Sequence, residues 1–181
     1  RLRAKNRIND WPSTMHSIKT VLASAVKTLQ PSTGTAQLDA ELLLGKLLDK
    51  DRTYLRTWPE RELTATQCEA FRQLIDRRRQ GWPVAYLLGI KEFWSREFVV
   101  SPEVLIPRPE TELLVELALQ HLPVDRPCRI LDLGTGSGVI AITLGVERPT
   151  STVTATDLSP AALAVARANA HMLGANNVVF L

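Results

Sequence analysis

Apolar residues in the first third of the chain recur at the spacing of amphipathic helices. One face of the first predicted helix is formed by Ile18, Val21, Leu22, Ala25, Val26 and Leu29. A leucine-rich second helix follows over residues 38–48, and a third begins at Thr64. There Thr64 and Gln67 have the spacing of a capping box, which satisfies free amides at a helix start. The pattern predicts a small helical domain over residues 15–82.

Residues 83–109 have a different pattern and are predicted to link two domains. The β-prone clusters Phe93-Trp94 and Phe98-Val99-Val100 are separated by polar residues, which is typical of a β-hairpin. Three prolines between residues 102 and 109 predict a stiff, extended stretch after the hairpin. A helix over residues 110–122 is expected next. Its predicted inward residues are Leu113, Leu114, Leu117 and Ala118.

From Cys128 onward the apolar runs alternate between strand and helix length. The predicted strands are Arg129–Leu133, Val153–Thr156 and Val178–Leu181. The predicted helices are Val139–Val146 and a second one that Ser159 and Pro160 begin and Gly174 ends. Strands separated by helices of this length predict an α/β fold with a parallel, doubly wound sheet. Three strands are few for such a sheet, so residues 110–181 are predicted to be the N-terminal part of a larger cofactor-binding domain.

A glycine-rich loop follows the first of these strands and precedes a helix. Its residues are Gly134, Thr135, Gly136, Ser137 and Gly138, and Asp132 stands just before it. Asp157 ends the next strand, where a carboxylate can accept hydrogen bonds from the hydroxyls of a ribose. The order of strand, loop, helix, strand and carboxylate predicts a nucleoside-bearing cofactor. The spacing is G-x-G-x-G rather than the G-x-G-x-x-G of dinucleotide sites, and Asp132 is expected to order the loop.

This loop resembles the first motif of class I S-adenosylmethionine-dependent methyltransferases. The segments Glu92-Phe93-Trp94, Phe98-Val99-Val100-Ser101-Pro102 and Leu105-Ile106-Pro107-Arg108-Pro109-Glu110-Thr111-Glu112 are similar to those of HemK-type protein-(glutamine-N5) methyltransferases. The resemblance covers roughly residues 15–181 and favours the release-factor branch. The sister group that acts on a ribosomal protein departs from the pattern near Phe93-Trp94 and Pro109-Glu110.

The resemblance implies methyl transfer from S-adenosyl-L-methionine to the glutamine of a Gly-Gly-Gln motif in a peptide-chain release factor. It implies cofactor binding by Gly134, Thr135, Gly136, Ser137, Gly138 and Asp157, and a position for Arg108 near the substrate. The family's catalytic Asn-Pro-Pro-Tyr loop is absent from this sequence. No catalytic residue is therefore assigned, and the chain is expected to be a C-terminally truncated fragment that binds cofactor poorly and transfers no methyl group.

Three alternatives remain open at this stage. The chain could belong to the ribosomal-protein glutamine methyltransferases, or it could be an NAD-type oxidoreductase domain that binds NAD more tightly than S-adenosylhomocysteine. It could also be a helical interaction module with a degenerate nucleotide fold. That module would bind a partner through residues 15–80 and would need no cofactor.

Charge first suggests a nucleic-acid partner, since 22 Lys and Arg face 19 Asp and Glu, with a pI near 9.1. However, the net charge of +3 lies entirely within residues 1–14, which are interpreted as an upstream extension or cloning remnant ahead of a start at Met15. No direct nucleic-acid contact is therefore predicted. Arg77-Arg78-Arg79 is interpreted as a solvated helix end, where cations suit the helix dipole.

The sequence also indicates the compartment, and its cysteines and histidines argue against disulfides and metal sites. No apolar run approaches the ~18 residues of a membrane span, and no secretory signal is visible. Cys68 and Cys128 fit neither a disulfide framework nor a metal site, and the three histidines lack ligand spacing. These features predict a cytoplasmic protein that contacts no membrane and holds no metal ion.

Overall fold

The computed structural model describes residues 17–181. The chain divides into two compact units, Arg1–Leu88 and Gly89–Leu181, here called the helical unit and the α/β unit. Residues 1–14 and the proposed start at Met15 lie outside the described residues, so the structure does not test their interpretation. The predicted segments 15–82, 83–109 and 110–181 remain predictions about the domains.

The described part of the helical unit consists of five helices. They are α1 (Ile18–Leu29), α2 (Ala36–Leu48), α3 (Arg52–Thr57), α4 (Ala65–Arg79) and α5 (Val84–Leu88). The three predicted helices are confirmed as α1, α2 and α4, but α3 and α5 were not predicted. Both are too short to show a helical period: α3 buries only Leu55, and α5 is a five-residue apolar run that resembles a strand.

Side-chain caps set where α1 and α4 begin. The Thr64 hydroxyl accepts a hydrogen bond from Gln67 N at 3.2 Å, and the Gln67 side chain accepts one from Thr64 N at 2.9 Å, which confirms the capping box. The Ser17 hydroxyl caps α1 by accepting a hydrogen bond from Thr20 N. The core of the unit is formed by apolar faces that include Ile18, Leu29, Leu43, Leu44, Phe71 and Ile75.

The arginine run at the end of α4 does not form a uniformly solvated end, as the sequence had suggested. Arg78 Nε donates to the Asp39 carboxylate at 2.7 Å, and these side chains are only 18% and 6% exposed. The Arg77 guanidinium lies 4.3 Å from the centre of the Trp82 ring. Arg79 lies 3.6 Å from the Asp76 carboxylate, so all three cations have partners inside the helical unit.

The α/β unit begins with the predicted hairpin. Its strands are β1 (Ile90–Phe93) and β2 (Arg96–Val99), which pair antiparallel. Trp94 and Ser95 form the turn with φ angles of 52° and 54°, a left-handed conformation that bulky residues rarely adopt. The Glu112 carboxylate accepts a hydrogen bond from Trp94 N at 2.8 Å and so helps to hold this turn.

The helix predicted over residues 110–122 is confirmed as α6 (Glu110–His121), but its predicted inward face is largely wrong. Leu113, Leu114 and Leu117 are 57%, 53% and 45% exposed. The helix instead packs through Val115, Ala118, Leu119 and Leu122. Both faces of α6 are apolar, so periodicity alone could not identify the face that packs.

The rest of the α/β unit alternates between strand and helix. Its elements are β3 (Arg129–Leu133), α7 (Val139–Glu147), β4 (Thr152–Thr156), α8 (Pro160–Met172) and β5 (Val178–Phe180). The strands form a parallel sheet in the order β3-β4-β5, which confirms the predicted α/β class. Leu133 at the end of β3 is in register with Thr156 at the end of β4. The segments that follow these two strands therefore meet at one edge of the sheet.

Candidate functional site

The glycine-rich loop joins the end of β3 to the start of α7 and is held by backbone hydrogen bonds. The amides of Gly134 and Thr135 both donate to Thr156 O, at 2.9 and 2.8 Å. Gly138 N then donates to Thr135 O at 2.8 Å, which folds the loop back toward the helix. These bonds place the loop directly beside the residue that follows β4.

The three loop glycines have positive φ angles of 75°, 56° and 85°, but they differ in their surroundings. A side chain at Gly138 would lie 2.6 Å from Ile142 Cδ1 and 3.2 Å from Ala166 Cβ, so this glycine allows close packing of α7 and α8. At Gly134 and Gly136 nothing lies within 4 Å of the same position. The space above these two glycines is open to a ligand.

Asp157 binds the loop through its carboxylate. One oxygen accepts a hydrogen bond from Gly136 N at 2.8 Å, and the other accepts one from Ser159 N at 2.9 Å. Backbone hydrogen bonds from Ser159 and Gly136 hold the pKa of Asp157 below its usual value, so the group is ionised near neutral pH. Because a carboxylate offers about four acceptor sites, further donors such as ribose hydroxyls can still bind.

The side chains between the glycines face the protein. Thr135 and Ser137 are 6% and 3% exposed. The Thr135 hydroxyl donates to the Asp132 carboxylate at 2.7 Å, which confirms that Asp132 orders the loop. Any contact of Thr135 or Ser137 with a ligand would therefore be made mainly through backbone atoms.

Two residues near this edge were not singled out from the sequence. Leu158 follows Asp157 and is fully exposed, an unusual position for a leucine beside a carboxylate. Asn169 is fully buried in α8 and donates a hydrogen bond to Ser137 O at 2.8 Å. The sequence did offer one signal for Asn169, because it is an amide residue on a helix face that otherwise carries alanines.

Arg108 does not join this cluster in the structure. Its side chain is exposed, and it forms no ion pair with any other residue in the range 17–181. The loop glycines, Asp132 and Asp157 are thus brought together at one edge. The role of Arg108 near a substrate remains a prediction.

Residues 17–181 contain neither a candidate metal cluster nor a helix that could span a membrane. Those residues contain no group of three or more His, Cys, Asp and Glu side chains that could hold a metal ion. None of their helices has the length and apolar character required to cross a membrane.

Comparison with known proteins identifies both units. A model of the PrmC N-terminal domain matches residues 20–89, and a model of the methyltransferase small domain matches residues 110–180. The chain is 48% identical over 166 residues to a release factor glutamine methyltransferase of Coxiella burnetii. It is 50% and 46% identical over 160 residues to proteins of the same name from Salmonella typhimurium and Escherichia coli. Over about nine-tenths of its length the chain is thus similar to release factor glutamine methyltransferases.

These alignments cover 92%, 88% and 88% of this chain but only 60%, 57% and 57% of the three relatives. The chain therefore spans somewhat more than half the length of these curated relatives. A solved structure of a protein-L-isoaspartate O-methyltransferase aligns with 55% of the chain at 21% identity and a TM-score of 0.35. That likeness is too distant to carry an argument.

The match of residues 110–180 to a methyltransferase domain implies that the α/β unit is part of a protein that binds a methyl donor. The names of the curated relatives also favour the release-factor branch over the ribosomal-protein branch. Methyltransferase relatives favour a methyl donor over NAD, and a methyltransferase domain model on residues 110–180 favours an enzyme over an interaction module.

Proposed function

We propose that this chain supplies the cofactor loop and the helical domain of an enzyme that methylates the glutamine side chain in the Gly-Gly-Gln motif of a release factor. The methyl donor in this proposal is S-adenosyl-L-methionine, and the compartment is the cytoplasm, where release factors act. The observation that carries the proposal is 46–50% identity to release factor glutamine methyltransferases across about nine-tenths of the chain.

The electrostatics of the loop support this donor over a dinucleotide. A dinucleotide site offers free backbone amides at a helix N-terminus to a pyrophosphate. Here Gly136 N already donates to the carboxylate of Asp157, and the carboxylate of Asp132 binds the same loop through Thr135. Two carboxylates disfavour a diphosphate and favour a ligand that carries a sulfonium and an ammonium group.

The chain's own residues have distinct roles in this proposal. Gly134 and Gly136 let the backbone approach the cofactor, Asp157 accepts hydrogen bonds from its ribose, and exposed Leu158 offers an apolar contact beside the sugar. The cofactor supplies an electrophilic methyl group. Because the lone pair of an amide nitrogen is delocalised, catalysis depends on holding that nitrogen in line with the methyl group. Arg108 is proposed to lie near the substrate glutamine.

Binding to this chain can be tested by NMR titration of the 181-residue protein with S-adenosylhomocysteine and, separately, with NAD. NMR detects the weak binding that we expect. S-adenosylhomocysteine should shift the amide signals of residues 134–138 and 157, and NAD should have a smaller effect at equal concentration. Asp157→Ala should weaken binding at least about tenfold, since a hydrogen bond to a charged group contributes roughly 1.5–3 kcal/mol.

Asp125→Ala is the matched control, because Asp125 is exposed and precedes β3 at the opposite edge of the sheet. It should leave binding unchanged. Tighter binding of NAD, or equal effects of the two substitutions, would contradict the proposed cofactor site.

The proposed substrate can be tested with the protein encoded by the open reading frame that contains these residues. The enzyme should transfer a labelled methyl group to a release factor, and mass spectrometry should place the label on the glutamine of Gly-Gly-Gln. Replacing that glutamine with leucine in the release factor should abolish labelling. Methylation at another residue would refute the proposed substrate.

A further inference from the structure

Asn169 is a neutral polar residue on a face of α8 that is otherwise apolar and buried. Ala162, Ala166 and Ala170 share this face, and Asn169 itself is completely inaccessible to solvent. Burying an amide without hydrogen bonds costs roughly 1–3 kcal/mol. The position of Asn169 therefore depends on the partners that its side chain finds.

The amide of Asn169 makes three hydrogen bonds to two residues from distant parts of the chain. Its oxygen accepts a hydrogen bond from Val99 N at 2.7 Å, and its nitrogen donates to Val99 O at 3.0 Å. The same nitrogen donates to Ser137 O at 2.8 Å. Val99 and Ser137 are 70 and 32 residues away from Asn169, so none of these bonds is local.

The bonds to Val99 have the donor and acceptor pattern of a neighbouring strand. A residue in an antiparallel pair exchanges one N–H and one C=O with its partner, and the Asn169 amide does the same with Val99. Val99 is the last residue of β2. The side chain thus fixes the end of the hairpin, from which the chain continues toward Arg108.

The bond to Ser137 reaches the centre of the glycine-rich loop. The Ser137 side chain is buried, so its carbonyl position is coupled to the fold of the loop around Gly136 and Gly138. A planar amide cannot shift toward one partner without changing its distance to the other. Movement of the loop is therefore transmitted to the end of the hairpin through a single rigid group.

We propose that Asn169 is a positioning residue that couples the glycine-rich loop to the end of the hairpin. It holds the loop in its ligand-binding conformation and makes the hairpin end respond when that loop is occupied. The identity of the occupant rests on the proposed function, whereas the coupling rests only on these three hydrogen bonds.

Asn177 provides a matched control in the same unit. Its side-chain nitrogen donates to the carbonyls of Gly145, Arg148 and Ser151, at 3.0, 3.2 and 2.8 Å. Ser151 precedes β4, so these bonds lie at the edge of the sheet opposite the glycine-rich loop. Asn177→Leu removes hydrogen bonds of the same kind as Asn169→Leu without touching the loop or the hairpin.

The test is amide hydrogen exchange of the ligand-free 181-residue protein, followed residue by residue by NMR. Asn169→Leu should raise exchange at least about tenfold both at Gly136 and Gly138 and at Val99 and Val100. Asn177→Leu should leave these four amides unchanged while loosening residues near Ser151. If Asn169→Leu does not fold, Asn169→Ser removes the same pattern of bonds with a smaller side chain that admits water.

The second measurement repeats the exchange with S-adenosylhomocysteine. In the wild-type chain the ligand should protect both the loop and the hairpin end, whereas in the Asn169 variant it should protect the loop alone. Equal effects of the Asn169 and Asn177 substitutions, or a hairpin response that survives Asn169→Leu, would overturn the coupling. Failure of the ligand to bind the wild-type chain would contradict the proposed function, and the ligand-free exchange would still decide the role of Asn169.

Discussion

The helical unit and the α/β unit bury different kinds of polar group. In residues 17–181, the buried polar side chains of the helical unit are both charged, Asp39 and Glu41. Those of the α/β unit are all neutral: Thr135, Ser137, Thr143, Ser151 and Asn169. Both carboxylates bind other side chains: Asp39 binds Arg78, and Glu41 binds Arg52 and Arg56.

The difference follows from what each architecture leaves unsatisfied. A helix satisfies most of its own backbone groups, so a buried polar side chain between helices must pair with another side chain. Strand ends and loops leave amides and carbonyls free, and the α/β unit satisfies them with side chains. Asn169, Asn177 and Ser151 bind backbone groups, and even Arg148 donates to Leu119 O and Leu122 O.

The largest expected effect comes from breaking the buried ion pair between Asp39 and Arg78 in the helical unit. Arg78→Leu leaves the Asp39 carboxylate buried without its cation, which typically costs about 3–5 kcal/mol. Urea unfolding of the full chain should show this loss in the transition of the helical unit. The double variant Asp39→Leu/Arg78→Leu should recover a large part of it, because no buried charge remains. An equal cost for the single and double variants would show that the pair contributes through packing rather than charge.

The second effect concerns the close packing at Gly138 in the α/β unit. Gly138→Ala forces a side chain into a left-handed conformation and against Ala166 Cβ at 3.2 Å. We expect the free energy of unfolding to fall by about 2–3 kcal/mol, of which the left-handed conformation contributes roughly 1–2 kcal/mol. Gly134→Ala has the same conformational cost but meets nothing within 4 Å, so urea unfolding should show a smaller loss. Equal losses would mean that the contact between α7 and α8 relaxes freely.

Features that depend on neighbouring residues in the chain could be predicted from the sequence, whereas those that depend on distant residues could not. The capping box at Thr64, the loop between β3 and α7 and the carboxylate after β4 each depend on residues close together in the chain. By contrast, Asn169 binds Val99, 70 residues away, and Arg78 binds Asp39, 39 residues away. Such pairs are set by the packing of whole elements, and no local pattern identifies them.

The same reasoning explains the error in α6. Its sequence places leucines on one face, yet Val115 and Leu119 on another face reach the core. Both faces satisfy a helical period. Only the position of the neighbouring elements decides which one is covered.

The third prediction is that acid destabilises the helical unit through Glu41. Burial raises the pKa of Glu41, but hydrogen bonds from Gln37 and Arg52 and the charges of Arg52 and Arg56 outweigh this effect, so the pKa lies below 4.5. Between 4.5 and the lower folded value the unfolded chain binds more protons, so stability falls as the pH falls through this window.

Glu41→Gln should therefore flatten the acid limb of a stability-against-pH curve, with a loss of about 1.5 kcal/mol at neutral pH for the weakened charged hydrogen bonds. Glu116→Gln alters an exposed glutamate of α6 that forms no ion pair within residues 17–181, and it should leave the curve unchanged. An unaltered acid limb in Glu41→Gln would rule out this source of acid sensitivity.

The smallest effect concerns a buried neutral group of the α/β unit whose side chain is unsatisfied. Thr143 in α7 is completely buried, and its hydroxyl has no hydrogen-bond partner among the described residues. Thr143→Val keeps the shape of the side chain and removes the unsatisfied group, so it should stabilise the protein by about 0.5 kcal/mol. Ser151→Ala is the contrasting change, because the Ser151 hydroxyl accepts a hydrogen bond from Cys128 N at 3.0 Å and its loss should destabilise the unit. Destabilisation by Thr143→Val in thermal unfolding would show that the Thr143 hydroxyl has a hydrogen-bond partner, and the contrast with Ser151 would then disappear.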